Sequence, residues 1–397
     1  MRILVLAPHP FFQARGTPMA VKTVLEFLSS RGHEIDLLTF HEGEDVSIPN
    51  CRIHRIAQPL GISNIRPGFS LKKVVCDLVM LSKCVRLVRQ NRYDLVHAVE
   101  ESVFIAAAVR SATGIPYIYD MDSSLAEQLV NTYPGLRFAF STLRRLEAFA
   151  VRRSMGVLAV CAALEDLARG YAPGKAVGLV EDTTLLPPGD ARNANGSAAD
   201  APLTEAVDGK GPVTMYVGNL EPYQGIGLLL EGFRHTLIRV PNAQLVIIGG
   251  MEGDISRYRR RAVQLGISTQ VHFLGPRPIT SLDGLLRRAD VLVSPRLHGL
   301  NTPMKIYSYL DSGTAVLATR LSTHTQVLDD RTAYLVTPTP EALGEGLADL
   351  LSNPDLRSQL ALQAKAYVQH EFTPEAAYRK LGSFYSLMES KAAEARG

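Results

Sequence analysis

Three sets of residues could do chemistry. The first lies in the run Ser294 to Arg320, SPRLHGLNTPMKIYSYLDSGTAVLATR, where Arg296, His298 and Lys305 bring positive charge or donors next to Gly299, Asn301, Thr302 and Pro303. Cations and donors so close together suit a phosphate group. The second set is His97, Asp120 and Asp122, with Glu100 and Glu101 nearby, each at or just past the polar end of an apolar run. An imidazole or carboxylate so placed can orient or deprotonate a hydroxyl. The third set is glycine: Gly16, the pair Gly218 and Gly225, then Gly250 and Gly299, each just after an apolar run. With no Cβ, such positions let backbone approach a ligand closely.

The elements that must hold these residues are strands and helices in alternation. Val291 to Val293 reads as a buried strand. Asn301 or Thr302 before Pro303 reads as a helix cap, with the helix over about Met304 to Leu310 and Gly313 closing it. A further strand, Ala315 to Ala318, follows. The polar loop therefore sits at the carboxyl end of a strand and at the mouth of a helix, where open α/β sheets bind ligands and phosphate is favoured. An ordinary strand-to-helix connection with solvated basic residues is the competing reading. The number of polar groups between two core strands favours a site.

The first half has the same grammar. Arg2 to Pro8 is a strand, then a loop holding Gly16, a helix over Met19 to Ser30 and a strand over Glu34 to Phe40. The loop is not GxGxxG, so no dinucleotide is indicated. Further strands are expected over Val46 to Ile56, Asp94 to Ala98, Tyr117 to Asp122, Gly156 to Val160 and Val177 to Val180. Arg66 to Arg92 reads as a long basic helix carrying Lys72, Lys73, Lys83, Arg86 and Arg89. Arg137, Arg144, Arg145, Arg152 and Arg153 form a second basic cluster. Basic amphipathic helices can lie on anionic lipid, but a core-packed helix with a solvated face is the commoner case and is favoured for the long helix.

In the second half, strands over Val213 to Val217, Ala243 to Ile248 and Val271 to Leu274 each end in a glycine-bearing loop. The expected division is an N-terminal domain over 1–187, a Pro- and Gly-rich surface connection over 188–212 and a C-terminal domain over 213–373. The last helices, 374–397, are expected to fold back on the first domain.

Composition bounds the function. A chain of 397 residues with 46% hydrophobic and 20% charged residues suits two globular α/β domains. The net charge, 42 − 39 = +3, gives no argument for nucleic acid. Cys51, Cys76, Cys84 and Cys161 have neither metal nor disulfide spacing and read as free thiols in a reducing compartment. No signal peptide precedes the first strand and no run of about 18 apolar residues occurs. A cytoplasmic protein without a metal is expected.

Taken together, VGNLEPYQGIGLLLEGF, LVIIGG, VHFLGPRP and TPMKIYSYLDSGTAVLAT, with GHEIDLLT, YDLVHAVEE and IPYIYDMDSSL in the first half, resemble the family 4 glycosyltransferases of GT-B fold. The resemblance covers nearly the whole chain. It implies two Rossmann-like, doubly wound parallel-sheet domains facing a central cleft, and a retaining, metal-independent transferase. The nucleotide-sugar would be co-substrate, with no cofactor. The acceptor would be a sugar, a lipid-linked molecule or a polysaccharide, with an anionic membrane surface as a further partner. It also implies that Gly16 and the loop Gly218, Asn219, Gln224, Gly225 face the donor diphosphate. Gly250 would line the donor site and Arg277 lie beside the base. His298 and Gly299 to Pro303 would meet the phosphate and sugar, Ser308 the ribose, and His97 and Asp122 the acceptor.

The chain departs from the family pattern in two places. Asn219 and Gln224 stand where many relatives carry Arg and Lys, and the usual pair of Glu is replaced by His298 or Leu300 and by Ser308. Lys305 and Arg296 are then the cations available to a leaving diphosphate. Two alternatives follow: a nucleotide-sugar 2-epimerase, which needs no acceptor, and a binding protein that has lost chemistry.

Overall fold

A computed structural model of the protein describes every residue except 14–15, 66–69, 188–202, 204–206, 208 and 395–397. The chain divides into two compact units, Met1–Asp182 with Pro374–Gly397, and Thr183–Thr373. The connection expected over 188–212 lies largely outside the described residues. Within that stretch, Leu203 and Val207 are buried in the core of the second unit.

The first unit is built on a seven-stranded sheet of β1 (Arg2–Ala7), β2 (Glu34–Thr39), β3 (Cys51–Arg55), β4 (Leu95–Val99), β5 (Tyr117–Met121), β6 (Gly156–Ala159) and β7 (Val177–Leu179). Its order is β3-β2-β1-β4-β5-β6-β7, and every pairing is parallel. Helices cover both faces of such a sheet, so β1, RILVLA, is apolar from Ile3 to Ala7 rather than alternating. Only Cys51–Arg55 of the strand expected over Val46 to Ile56 pairs in the sheet. The long basic helix spans Leu71–Gln90, and the Ser70 side chain accepts from the Lys73 amide at its start. The final helix, Pro374–Glu394, packs on β7 and on the Gly16–Ser30 helix. Leu381, Phe384, Tyr385 and Met388 enter the first unit's core from it.

The second unit repeats the plan with β8 (Val213–Val217), β9 (Gln244–Ile248), β10 (Val271–Gly275), β11 (Val291–Ser294), β12 (Ala315–Thr319) and β13 (Tyr334–Val336). The order is β10-β9-β8-β11-β12-β13, again all parallel. In each sheet the order reverses direction between two central strands, β1 and β4 in the first and β8 and β11 in the second. Neighbouring strands whose connections leave in opposite directions open a crevice at their carboxyl ends.

Candidate active site

In the second unit that switch point is built from three converging loops. The β8 and β11 loops are tied together by the Leu297 amide, which donates to the Tyr223 carbonyl at 2.9 Å. Gly225 makes the contact possible: its φ is +77°, and a Cβ there would stand 1.9 Å from the Pro295 carbonyl oxygen. Gly249, after β9, presses equally close, with a notional Cβ 2.2 Å from the Gly218 oxygen. The next residue, Gly250, packs on Leu220.

Lys305 lies under these loops. It opens the short helix Lys305–Asp311, and its Nζ donates to Gln224 Oε1 at 3.2 Å and sits 3.8 Å from the centre of the Tyr216 ring. Burial pushes this ammonium well below its usual pKa, and Arg296 pushes it further. Among the described residues no carboxylate offsets either effect. The helix is fixed to β8 by Tyr309, whose hydroxyl accepts from the Val217 amide at 2.7 Å. Asn219 is exposed at the loop tip, and its carbonyl accepts from the Tyr216 hydroxyl at 2.6 Å.

Other residues from the sequence reading take structural roles. Arg296 is buried, donating to the His298 carbonyl at 3.1 Å, the Asn301 carbonyl at 2.9 Å, Asn301 Oδ1 at 3.2 Å and Thr323 Oγ1 at 3.1 Å. It shapes the Gly299 to Pro303 loop from within. Because the guanidinium takes both Asn301 oxygens, Asn301 does not cap the helix. Thr302 does not either: its hydroxyl is buried without a partner, and the helix begins with no side-chain cap. Ser308 is also buried, and its hydroxyl accepts from the Leu185 amide at 3.0 Å, which braces the 183–186 segment. Arg277 is half-buried past β10 and donates to the Pro276 carbonyl at 3.2 Å. His298 is exposed, with its ring 6.2 Å from Tyr223. Behind the loop His324 lies 2.9 Å from Ser294 Oγ, and burial lowers its pKa to about 4.

The corresponding corner of the first unit is rich in carboxyl groups. Gly16 opens its helix, and Thr17 hydrogen-bonds Asp122 at the end of β5. The other Asp122 oxygen is buried without a partner. Burial, then the charges of Asp120, Glu100 and Asp182, raise the Asp122 pKa well above the carboxylate range. Burial and Glu101 bring Glu100 to about 7, and burial and Asp120 bring Asp182 to about 7. Glu100 holds a left-handed φ of +47° and accepts from Ser123 Oγ at 3.2 Å. Lys73, read as a surface charge, is buried and ion-paired to Glu101.

His97, expected to meet the acceptor, is wholly buried. Its Nε2 is 2.8 Å from Asp120 Oδ2 and its Nδ1 is 2.6 Å from the Tyr385 hydroxyl. With both nitrogens occupied it supports Asp120 and cannot itself reach a substrate. Thr17 and Tyr385 went unnoticed in the sequence. Thr17 could have been found as the polar neighbour of Gly16. Tyr385 had no local signal, because it arrives on the last helix. Among the described residues, no group of three or more His, Cys, Asp or Glu could hold a metal ion.

Two parallel α/β units with polar loops at their switch points define a GT-B-type protein. Solved structures share the architecture: sucrose-phosphate synthase from Thermosynechococcus elongatus superposes with a TM-score of 0.80 at 20% identity, covering 98% of this chain and 99% of that one. Anabaena HepE in complex with UDP-glucose gives 0.73 at 16% identity, covering 97% and 99%. Two family models match the sequence, "Glycosyl transferase 4-like domain" over residues 15–179 and "Glycosyl transferases group 1" over 203–367. The chain belongs to the family 4-type glycosyltransferases. Among its relatives, a phosphatidyl-myo-inositol mannosyltransferase of Mycolicibacterium smegmatis is 25% identical over 93% of this chain and 89% of its own length. A D-inositol 3-phosphate glycosyltransferase of Corynebacterium efficiens is 27% identical over the same shares.

Proposed function

We propose that the enzyme moves a sugar from a nucleotide-sugar to a hydroxyl of a lipid-linked or polysaccharide acceptor, in glycolipid or surface-polysaccharide synthesis. Transfer retains the anomeric configuration and uses no metal. The observation that carries the donor half is Lys305, a desolvated ammonium whose one hydrogen-bond partner among the described residues is a neutral amide. A buried charge without a counter-charge is costly, and a diphosphate would supply the missing one. Gln224 fits this arrangement, since a Lys at that position would repel Lys305. In the transfer the sugar's anomeric carbon gains the acceptor oxygen and loses the diphosphate oxygen, and the acceptor proton passes to the departing diphosphate. Asp122, whose protonated form burial and its acidic neighbours favour, would bind and orient the acceptor hydroxyl. The relatives' inositol-bearing names support a polyol acceptor.

The test is a thermal-shift screen of UDP-, GDP-, ADP- and TDP-sugars on wild type and on Lys305→Met. One nucleotide should stabilise the wild type and leave the variant unmoved. Equal stabilisation of both would remove Lys305 from the donor site. Product formed from donor alone would favour the epimerase alternative, and donor binding without transfer or hydrolysis the inactive one. Asp122→Asn should lower kcat by roughly tenfold or more with an unchanged donor KM, read by initial rates at saturating donor.

The reading includes attachment to an anionic membrane surface. Among the described residues, no helix is long and apolar enough to cross a membrane. The helix Phe140–Arg153 and the turn before it present Phe138, 84% exposed, with Leu146 and Phe149 among Arg137, Arg145 and Arg152. The one acid in that stretch, Glu147, is buried beneath. Apolar side chains among cations suit an anionic interface. Flotation with phosphatidylglycerol vesicles should carry the protein up, and Phe138→Ser with Arg145→Glu should leave it at the bottom. Equal flotation of wild type and variant would exclude this face.

A further inference from the structure

From the final helix, the Tyr385 hydroxyl reaches the strand-end carboxyl cluster of the first unit, and Lys380 pairs with Glu181 beside it at 2.7 Å. The Tyr385 hydroxyl is buried, and its partner is His97 Nδ1 at 2.6 Å. On the other side of the ring, His97 Nε2 is 2.8 Å from Asp120 Oδ2. The two rings are nearly parallel, 12° apart. Asp120 is two residues from Asp122 on the same strand end, and its charge acts directly on the Asp122 carboxyl.

A neutral imidazole has one donor and one acceptor, and an imidazolium has two donors. If His97 donated from Nδ1, the Tyr385 hydrogen would be left in a wholly buried site with no acceptor. If Tyr385 donates to Nδ1, every group is satisfied: the phenol gives its proton to the ring, and Nε2–H gives its own to Asp120. Unsatisfied buried donors are expensive, so this second arrangement prevails.

We propose that Tyr385 is a positioning residue for the acceptor side: its hydroxyl locks His97 as the Nε2–H tautomer, and His97 thereby holds the Asp120 carboxylate in place beside Asp122. The final helix thus carries a polar function besides its packing. The groups facing this line are Asp120, Asp122, Glu100 and Asp182. Asp120 is bonded to His97 and its charge acts on Asp122, so a change at Tyr385 reaches Asp122 through two hydrogen bonds and that charge. The effect on turnover rests on the acceptor role of Asp122 given above, whereas the tautomer does not.

Nitrogen chemical shifts of ¹⁵N-histidine-labelled protein, with the His97 signal assigned by its loss in His97→Gln, report the tautomer directly. The wild type at neutral pH should show a protonated Nε2 and a bare Nδ1. A bare Nε2, or an imidazolium, would overturn the proposal with no variant needed. Tyr385→Phe keeps the ring and removes only the hydroxyl. It should mix the tautomers and lower kcat by roughly tenfold, with donor KM within about twofold of wild type. Unchanged nitrogen shifts in that variant would also overturn the proposal. Mixed tautomers with unchanged kcat would overturn the link to turnover and count against Asp122, leaving the tautomer lock standing.

Discussion

The two switch points have the same topology and opposite electrostatics. In the second unit a buried ammonium, Lys305, has no carboxylate beside it among the described residues, and the nearby His324 is driven towards its neutral form. In the first unit Asp122, Glu100, Asp182 and Asp77 crowd together and are driven towards their protonated forms, with Lys73 the buried cation among them. One corner lacks negative charge and the other has too much. A protein does not compensate such corners when a ligand will. On the function proposed above, the first would receive the donor's diphosphate, and the second hydroxyl groups that accept and donate hydrogen bonds without adding charge.

The contrast can be broken most directly at Lys305. Lys305→Met should cut turnover by about 10²–10³-fold, the scale of losing an electrostatic contact to the reacting group. The same change should raise the melting temperature of the nucleotide-free protein, since a desolvated charge is replaced by an apolar chain of similar length, a gain of ~1 kcal/mol. A variant both inactive and less stable would mean that Lys305 is an ordinary structural residue.

Gly225→Ala attacks the loop junction rather than the charge. With its φ at +77° and a Cβ 1.9 Å from the Pro295 oxygen, the β8 and β11 loops must part. A loss of about 2–4 kcal/mol is expected, seen as a lower denaturation midpoint, with strands of the first unit keeping their hydrogen-exchange protection.

The smallest effect is also the sharpest comparison. Glu100 and Asp182 at about 7, and Asp77 at about 8, sit above their unfolded values, so the folded first unit holds extra protons between roughly pH 4 and those values. Its stability is greatest below that window and falls as pH rises through it. His324 at about 4 lies below its unfolded value of 6.5, so the second unit gains stability as pH rises across that interval. Lowering pH from 6.5 to 5 should therefore strengthen the first unit and weaken the second. Hydrogen exchange, corrected for intrinsic rates, reads the two sets of strands separately, and changes of like sign in both would refute the contrast.

Much of this was legible along the chain. Val291 to Ser294 and Ala315 to Thr319 are apolar runs with polar ends, and local periodicity is enough to place such strands and the loop between them. The parallel order followed from the alternation of strand and helix. What failed depended on contacts that local residue type and periodicity do not encode. Asn301 and Thr302 have the types of a helix cap, but Arg296 claims the oxygens of Asn301. Lys73 lies on a helix that looks solvated from its sequence, yet Glu101 draws it inside. His97 sits at a strand end as a catalytic base would, and the hydroxyl that occupies it lies 288 residues further on. Leu203 and Val207 are two apolar residues in a Pro- and Gly-rich stretch, too few for periodicity to reveal that they are core.

The return of the last helix also sets an order of assembly. Residues 183–373 form a unit continuous along the chain, so its sheet can close while synthesis is still under way. The unit that begins the chain cannot do the same. Its core needs Leu381, Phe384, Tyr385 and Met388, which are synthesised after the whole of the second unit. The unit whose strands come first is thus completed only after the other has been made.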